Sequence, residues 1–377
     1  MSKNMDKRLI FFTYAYNAER TIKRTINSLL NQTYSDFTYY CIDNGSTDAT
    51  GEIIREYASM DSRIVHLQEK PNNRGIVAKY IPRIMEGGDN GYLAFLDSDD
   101  EYASPFLEKM FSFVKEHTLD IAVCGTEYVT PDGARKDTPA ETLIFEDSGF
   151  AEHFSVYHKY ITRAWGILYS LRLLPLVGFT TLEKMGYTQL AKTGYKELTK
   201  EQAASAPVFY DCIHPLMAFQ KAKRAGVLSE SLHKYYINPS TEHLSYRYTP
   251  NYFWWINFIQ ERAREFLLDY GPLSKKNENY LHIRFLIWLK YILVRLQNTD
   301  APLKTRLQDI TEIFDDARTK TWLCLDWDAV GIQTDKHEFL KEQLVWAQAR
   351  QGGDHAAQTD AKKLIAVLER RITEIWG

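Results

Sequence analysis

Short apolar runs alternate along the first part of the chain with segments whose apolar residues recur every three or four positions. The runs predict buried strands, and the periodic segments predict amphipathic helices. The predicted strands begin at Leu9, Phe37, Ile64, Tyr92 and Ile121, with helices between them. This alternation predicts a mostly parallel sheet with helices on its faces.

Three polar or proline-containing stretches modify this pattern. Pro82 is expected to interrupt the helix predicted over residues 75–85, because proline removes a helical hydrogen bond. The polar stretch 131–148 predicts a surface loop, and the polar, lysine-rich stretch 178–207 predicts an inserted excursion.

After about residue 248 the pattern changes to long helical periods rich in Trp, Phe and Leu. A length of 377 residues fits two domains. We therefore predict an α/β domain over residues 1–248 and a helical C-terminal domain over residues 249–377.

Composition excludes several classes of protein. A net charge of −3 gives no reason to expect nucleic-acid binding, which normally requires a basic excess. The four cysteines lie far apart, so neither a zinc site nor a disulfide framework is predicted. No signal peptide is visible, and the apolar run Phe285–Val294, interrupted by Lys290, is too short to span a membrane. These features predict a cytoplasmic protein.

The chemistry of the chain is concentrated in the acidic string Asp97-Ser98-Asp99-Asp100, which directly follows the apolar run Tyr92–Leu96. Ligands of open α/β sheets bind at the carboxyl ends of the strands. Carboxylates crowded together repel one another unless a cation joins them, and hard oxygen ligands suit Mg²⁺ or Mn²⁺. The alternative is a polar turn into a helix that opens at Ser104-Pro105.

Four strings occur in order across the first hundred residues: Tyr16-Asn17-Ala18-Glu19, Leu29-Leu30-Asn31-Gln32-Thr33, Asp43-Asn44-Gly45-Ser46-Thr47-Asp48 and Leu96-Asp97-Ser98-Asp99-Asp100. Together they resemble the nucleotide-sugar-binding half of the family-2 glycosyltransferases of the GT-A fold. Later segments are similar to the acceptor half of that family: Trp165–Tyr169, Tyr210-Asp211, Tyr235-Tyr236 and Ser240–Ser245. The resemblance covers about residues 8–248.

The resemblance implies a GT-A Rossmann-like, mostly parallel sheet flanked by helices, with a donor half at about 1–130 and an acceptor half at about 131–248. It implies an inverting, metal-dependent hexosyl- or N-acetylhexosaminyl-transferase. Such an enzyme moves a monosaccharide from a nucleotide diphosphate sugar, with UDP as the expected nucleotide, to a hydroxyl of a glycan or lipid-linked acceptor. Synthesis of bacterial surface polysaccharide is the expected role, and Mn²⁺ or Mg²⁺ is the expected cofactor.

The same resemblance implies a nucleobase site at Tyr14, Ala15 and Tyr16, with Tyr16 as the ring beside the base. The alternative is that Tyr16 is a core aromatic residue. Asp43 is expected to accept a hydrogen bond from ribose or base. Asn44 stands where the family more often has a second Asp, a departure that weakens the assignment of UDP. Ser46 and Asp48 are assigned only turn and helix-cap duty.

For the diphosphate, the resemblance points to Arg74 and Lys79. Lys79-Tyr80 replaces the usual Arg and Asn, and a solvated helix-face lysine is the alternative for Lys79. Asp97 is expected to reach ribose or metal, Ser98 to adjoin the donor, and Asp99 to bind the metal. His243 is expected to contact metal or phosphate, or else to be an exposed loop histidine.

On the acceptor side, Asp211 is the expected general base, with a helix N-cap as its alternative. The sequence Cys-Ile-His-Pro after it is not typical of a helix start. Trp165 is expected to be either a platform for the acceptor sugar or a core residue.

Peripheral contact with the inner face of the cell membrane is a hypothesis that rests on the aromatic string Phe253-Trp254-Trp255 and the run Phe285–Val294. Two other functions remain open. A nucleotidyltransferase would normally carry a glycine-rich loop after the first strand, where this chain has Thr13–Asn17. A non-catalytic nucleotide-sugar-binding or scaffolding protein is suggested by the departures at Asn44, Lys79-Tyr80 and Tyr210.

Overall fold

The computed structural model describes residues 8–69, 76–177, 210–237, 252–297, 299, 301–328, 363–364, 366–371 and 373–374. They fall into two compact units. The first contains residues 8–177 and 210–237, and the second contains the described residues from 252 onward. The predicted boundary near residue 248 lies between described segments and stays a prediction.

The strands described in the first unit form one mixed sheet. In chain order they are β1 Arg8–Ala15, β2 Thr38–Asp43, β3 Ile64–Gln68, β4 Gly91–Phe95, β5 Glu101–Tyr102, β6 Ile121–Thr130, β7 Gly133–Asp137, β8 Leu143–Glu146, β9 Ile167–Ser170 and β10 Arg224–Tyr236.

Strand order divides the sheet into two parts. The order is β3-β2-β1-β4-β9-β6-β10-β5, with β7 paired to β6 and β8 paired to β10. β3, β2, β1 and β4 are mutually parallel, so their carboxyl ends share one edge of the sheet. β9 runs antiparallel to both β4 and β6, whereas β6 and β10 are parallel to each other.

Helices of the first unit cover the sheet. They are α1 Ile22–Leu30, α2 Thr50–Met60, α3 Ile76–Met85, α4 Phe106–Glu116, α5 Gly149–Glu152, α6 Phe154–Tyr157, α7 Leu174–Val177 and α8 Tyr210–Lys221, with 3₁₀ turns at His158–Tyr160 and Leu171–Leu173. Ile22, Ile26 and Leu29 form the buried face of α1, as their helical spacing predicts. On the same side of the sheet, Phe11 packs edge-on against Phe37 at 5.2 Å.

The α/β architecture followed by a helical part is confirmed, but two local predictions are wrong. α3 continues through Pro82, which is exposed. The loss of one backbone N–H donor at this proline therefore does not end the helix. The predicted loop 131–148 contains β7 and β8. β7 pairs with β6 through a tight hairpin and is exposed, so it lacks the apolar alternation that identifies a half-buried strand. The predicted excursion 178–207 lies outside the described residues.

The second unit is helical, with α9 Tyr252–Leu268, α10 Lys275–Gln297, α11 Leu303–Asp315 and α12 Ala317–Leu323. Two of the aromatic residues that motivated a membrane contact are core residues: Trp255 is 1% exposed and Phe285 is 0% exposed. Phe285 packs edge-on against Trp322. In the run Phe285–Val294, however, Ile287 is 37% exposed and Tyr291 is 53% exposed, so the membrane hypothesis stays a prediction. Of the helices in the described ranges, none is long and apolar enough to cross a bilayer.

Candidate active site

The loops that follow β1 and β2 are joined by reciprocal hydrogen bonds. The Asn17 N–H donates to Ser46 Oγ at 3.0 Å, and Asn17 Oδ1 accepts from the Thr47 N–H at 2.9 Å. The Glu19 N–H donates to Asp48 Oδ2 at 3.1 Å. Asn17 has a positive φ of 50°, which asparagine tolerates better than most residues. Two strings far apart in the sequence therefore fix each other's backbone.

Asp48 also binds the start of α2, because its Oδ1 accepts from the Thr50 N–H at 3.0 Å. The Thr50 hydroxyl in turn accepts from the Ala18 N–H at 2.7 Å. Ser46 and Asp48 thus hold backbone groups in place, which agrees with the turn duty predicted for them. The N-cap of α2 is Ala49, so Asp48 binds the start of this helix from one residue before the cap.

Of the predicted nucleobase loop, Tyr14 and the buried Ala15 are the last two residues of β1, and Ala15 pairs with Asp43 at the end of the β1–β2 ladder. The Asn44 N–H donates to the Ala15 carbonyl at 2.8 Å. Tyr16 is 48% exposed, so the alternative that it is a core residue is wrong. Burial and the nearby Glu69 carboxylate raise the pKa of the Tyr14 hydroxyl. The loop therefore presents one free ring face on a backbone that is hydrogen-bonded to β2.

Asp43 is buried, and both of its carboxylate oxygens accept hydrogen bonds. Oδ1 accepts from the Ser46 N–H at 2.9 Å, and Oδ2 accepts from Gln68 Nε2 at 2.7 Å. A Cβ at Gly51 would lie 2.4 Å from Asp43 Oδ2, so only glycine allows this approach of α2. Asn44 Oδ1 is buried and has no hydrogen-bond partner among the described residues.

Lys79 forms an ion pair with Glu69, which also accepts from the Tyr80 hydroxyl. The Lys79 side chain is 56% exposed, whereas that of Glu69 is 6% exposed. The Tyr80 ring packs against Phe12 at 6.2 Å. Lys79 would have to exchange Glu69 for a phosphate, so its predicted role stays a prediction. Arg74 lies outside the described residues.

The acidic string follows β4 at the carboxyl edge of the sheet. Asp97, Asp99 and Asp100 each offer a carboxylate oxygen, and these oxygens lie within 4.8 Å of one another. Asp100 is the buried member, and the Tyr236 N–H donates to its Oδ1 at 3.0 Å. His233 Nε2 lies 3.3 Å from Asp100 Oδ2, within ion-pair distance but not aligned for a hydrogen bond.

Burial and the neighbouring Asp99 carboxylate raise the pKa of Asp100 well above its ordinary value. Burial, reinforced by the positive charge of Arg163, lowers the pKa of His233. Both shifts favour the uncharged forms of this buried pair. The sequence pattern identified Asp97 and Asp99, but it gave no sign that Asp100 is anchored by residues of β10, because that strand lies far along the chain.

This donor set fits a hard divalent cation. The ligands are carboxylate oxygens, which Mg²⁺ and Mn²⁺ prefer, and three acids at this spacing repel one another without a cation. The buried Asp100 Oδ2 lacks a hydrogen-bond donor among the described residues. Ser98 lies within the same turn, and His243 lies outside the described residues.

Trp165 lies beside the start of the acidic string, because it forms a β-bridge with Phe95. Its ring stacks on Tyr235 at 5.9 Å with an interplanar angle of 8°, and it is partly exposed. The Tyr102 hydroxyl donates to the Phe95 carbonyl at 2.6 Å and accepts from the Gly166 N–H at 3.0 Å. This hydroxyl ties the end of β4 to the segment that carries Trp165.

Asp211 lies in the first turn of α8, inside the helix and not at its N-cap. The helix continues through Pro215, so Cys-Ile-His-Pro does not prevent a helix start here. Cys212 Sγ donates to the Thr162 carbonyl at 3.0 Å, which brings the start of α8 close to the segment of Trp165. The Asp211 side chain itself lies outside the described part, so its predicted role stays a prediction.

Comparison with known proteins agrees with this geometry. Residues 11–171, which include the interlocked loops and the acidic cluster, match the family described as glycosyl transferase family 2. This segment of the chain therefore resembles that family. Among curated members, glycosyltransferase GlyA of Streptococcus pneumoniae serotype 4 is 27% identical over 187 residues, 46% of this chain and 26% of the relative.

TuaG of Bacillus subtilis, whose name assigns it provisionally to teichuronic acid biosynthesis, is 33% identical over 141 residues, 36% of this chain and 54% of the relative. The chain thus spans about half or less of the length of these two relatives.

The solved structure of S. aureus TarS 1–349 in complex with UDP-GlcNAc matches with a TM-score of 0.55 at 18% identity, over 96% of this chain and 90% of that chain. At that identity the likeness shows the fold, which is the GT-A fold.

Proposed function

We propose that this chain is a metal-dependent, inverting glycosyltransferase that moves a monosaccharide from a UDP-sugar to a hydroxyl of a glycan or lipid-linked acceptor. The observation that carries the proposal is the cluster of Asp97, Asp99 and Asp100 at the carboxyl edge of the parallel strands. The nucleotide follows from the UDP-GlcNAc bound by TarS, and a role in bacterial surface polysaccharide follows from the name of TuaG.

Donor binding uses the edge formed by β1, β2 and β4. The exposed Tyr16 ring packs against the nucleobase, and Asn44 Oδ1, which is buried without a partner in the described ranges, accepts a hydrogen bond from it. Asp43 keeps its two internal hydrogen bonds and offers its remaining lone pairs to ribose. Lys79 adds positive charge for the diphosphate.

Asp97 and Asp99 would hold the divalent cation, while the Tyr236 N–H holds Asp100 and His233 lies next to it. When bound, the cation supplies Lewis-acid stabilisation of the charge that grows on the departing diphosphate. The chain contributes a rigid arrangement of carboxylates, because Asp100 is fixed by the backbone of β10.

Asp211 takes the proton from the acceptor hydroxyl as that oxygen attacks the anomeric carbon. Attack from the face opposite the diphosphate inverts the configuration and needs no covalent intermediate. A general base of this kind contributes about 10²–10⁴-fold to the rate. The Cys212–Thr162 contact supports this role, because it brings the first turn of α8 close to Trp165.

The test is a thermal-shift panel of UDP, GDP, dTDP and CMP, each with and without Mn²⁺. We expect a shift with UDP that requires the metal, since a ligand at 100 times its Kd adds about 2.7 kcal/mol. Asp99→Ala should abolish the metal-dependent shift. Asp89→Ala, which removes an exposed carboxylate before β4, is the matched control and should retain it. Metal-independent UDP binding, or an unchanged shift in Asp99→Ala, contradicts the proposal.

A further inference from the structure

A row of aromatic and cationic side chains lies on one face of the β7–β6–β10 ladder. Tyr128 of β6 is directly opposite Arg135 of β7 and Tyr235 of β10. Side chains in one row across neighbouring strands point to the same face of the sheet. Together with Arg163 and Trp165, these residues are called here the arginine–tyrosine face.

The two arginines of this face share one ring. The guanidinium carbon of Arg135 lies 5.2 Å from the centre of the Tyr128 ring, and that of Arg163 lies 5.3 Å from it. Arg163 Nη1 also donates to the Tyr128 hydroxyl at 2.5 Å. Stacking on tyrosine positions a guanidinium while leaving N–H groups available to a ligand.

Neither arginine forms an ion pair with any carboxylate in the described part of the chain. The nearest acid in the next row, Asp137, already accepts from Lys159 Nζ at 2.8 Å and from the Tyr160 hydroxyl at 3.0 Å. The positive charge of Arg163 helps to lower the pKa of Asp137, so this carboxylate is a nearby but not a paired counter-charge. Both guanidinium groups therefore stand on this face without a carboxylate at ion-pair distance in those ranges.

The face adjoins the acidic cluster. The row next to Tyr128 and Tyr235 consists of Thr126 and His233, and His233 contacts Asp100. Trp165 stacks on Tyr235 and its ring lies 6.0 Å from that of His233. An acceptor whose hydroxyl is near the cluster would continue along this face.

We propose that the arginine–tyrosine face binds a phosphate group of the acceptor, so that the acceptor is a phosphate-containing polyol or sugar chain. This inference rests on the proposed function, whose acceptor class it names. One bidentate guanidinium satisfies a carboxylate, whereas a phosphate presents enough oxygen edges for two guanidinium groups. The pair of arginines on one ring therefore favours phosphate over carboxylate.

The experiment measures binding to the full chain loaded with Mn²⁺ and UDP, so that the donor site is filled. Three probes of similar length are titrated: a glycerol phosphate oligomer, an oligogalacturonate and a neutral malto-oligosaccharide. We expect the phosphate oligomer to bind most tightly. Arg135→Gln and Arg163→Gln should each raise its Kd about tenfold, and the double variant by more, because each removes a charge-assisted hydrogen bond.

Lys136→Gln is the matched control. Lys136 is the exposed neighbour of Arg135 on β7, but strand alternation directs it to the opposite face, so its loss should change the Kd less than twofold. Arg163→Lys keeps the charge without the planar fork and should fall between wild type and Arg163→Gln.

Three results would overturn the inference. The first is an unchanged Kd for the phosphate oligomer in the double variant, and the second is an oligogalacturonate or neutral probe that binds as tightly as the phosphate oligomer. The third is a loss of UDP affinity in Arg163→Gln while binding of the phosphate oligomer is unchanged. The last result would assign Arg163 to the diphosphate of the donor. Failure of the proposed function is separate, because it would appear as a wild-type chain that does not bind UDP with Mn²⁺.

Discussion

The donor edge and the arginine–tyrosine face occupy the same sheet but are built differently. At the donor edge, contact residues follow β1, β2 and β4 directly and are held by hydrogen bonds between loops, such as Asn17 to Ser46. On the arginine–tyrosine face, contact residues alternate along β6, β7 and β10, and they are held by ring stacking. The donor edge therefore depends on backbone hydrogen bonds, whereas the arginine–tyrosine face depends on which side chains the strand register brings together.

A single hydroxyl connects the two regions. Tyr102 bonds the Phe95 carbonyl at the end of β4 and the Gly166 N–H next to Trp165. Substitutions can therefore separate donor effects, acceptor effects and effects on their connection.

The largest expected effect belongs to the acceptor side. Asp211→Asn should lower the rate of UDP release from a UDP-sugar, with water or an added acceptor, about 10²–10⁴-fold, because the general base is lost. The Kd for UDP with Mn²⁺ should stay within about twofold, since the donor edge is unchanged. Asp36→Asn, an exposed carboxylate before β2, is the control. An equal loss of nucleotide binding would place Asp211 on the donor side instead.

Acid should destabilise the acceptor side through α8. Burial lowers the pKa of His214 to about 3, whereas the unfolded chain titrates near its ordinary value of 6.5. At a pH between these two values, His214 is protonated in the unfolded chain but neutral in the folded chain. The free energy of unfolding is therefore highest above pH 6.5 and falls as the pH is lowered. This histidine should lower the free energy of unfolding by about 2 kcal/mol between pH 7 and pH 5.

Urea unfolding at pH 7 and pH 5 measures this difference. His214→Gln should reduce the change between the two pH values by about that amount. A variant with the same pH dependence as wild type would show that other groups account for the acid sensitivity.

The connection between the two regions is tested by Tyr102→Phe. Removing the hydroxyl leaves the Gly166 N–H and the Phe95 carbonyl without this partner in a buried position, which should cost about 1–3 kcal/mol in urea unfolding. Tyr92→Phe, which removes one bond to the Leu119 carbonyl, is the comparison and should cost less. Equal costs would mean that the bridging position of Tyr102 has no special effect.

The smallest effect is expected at the nucleobase loop. Tyr16→Ala should weaken UDP binding roughly tenfold, because stacking of a base on an aromatic ring contributes about 1–3 kcal/mol. The free energy of unfolding should change by less than about 0.5 kcal/mol, since the ring is 48% exposed. Calorimetry and urea unfolding on the same preparation measure both quantities. A stability loss without weaker binding would make Tyr16 a packing residue.

The sequence predicted where the strings of the donor edge lie in the fold, because each of them directly follows an apolar run. The acidic string, the Asp43 string and the helix caps are therefore local in sequence as well as in space. Asp100 shows the limit of this approach, because its anchor, the Tyr236 N–H, and its neighbour His233 belong to β10. Nothing near Asp100 in the sequence indicates that it is buried and fixed.

The arginine–tyrosine face was less predictable from the sequence for a physical reason. Arg135 and Tyr128 become neighbours through strand register, which apolar periodicity does not encode when the strand is exposed. The same exposure hid β7 within a predicted loop. Trp165 was identified through a family string, but its stacking on Tyr235 depends on the pairing of both β9 and β10 with β6.

The reciprocal bonds between the loops after β1 and β2 have a consequence for protein engineering. A chimera could take residues 14–19 from a relative and keep residues 44–50 of this chain. Its hydrogen bonds between the two loops, at the positions of Asn17 with Ser46 and of Glu19 with Asp48, would then join groups from two different proteins. Exchanging both segments at once preserves these pairs. Nucleotide preference should thus be transplanted as a two-segment cassette, not one loop at a time.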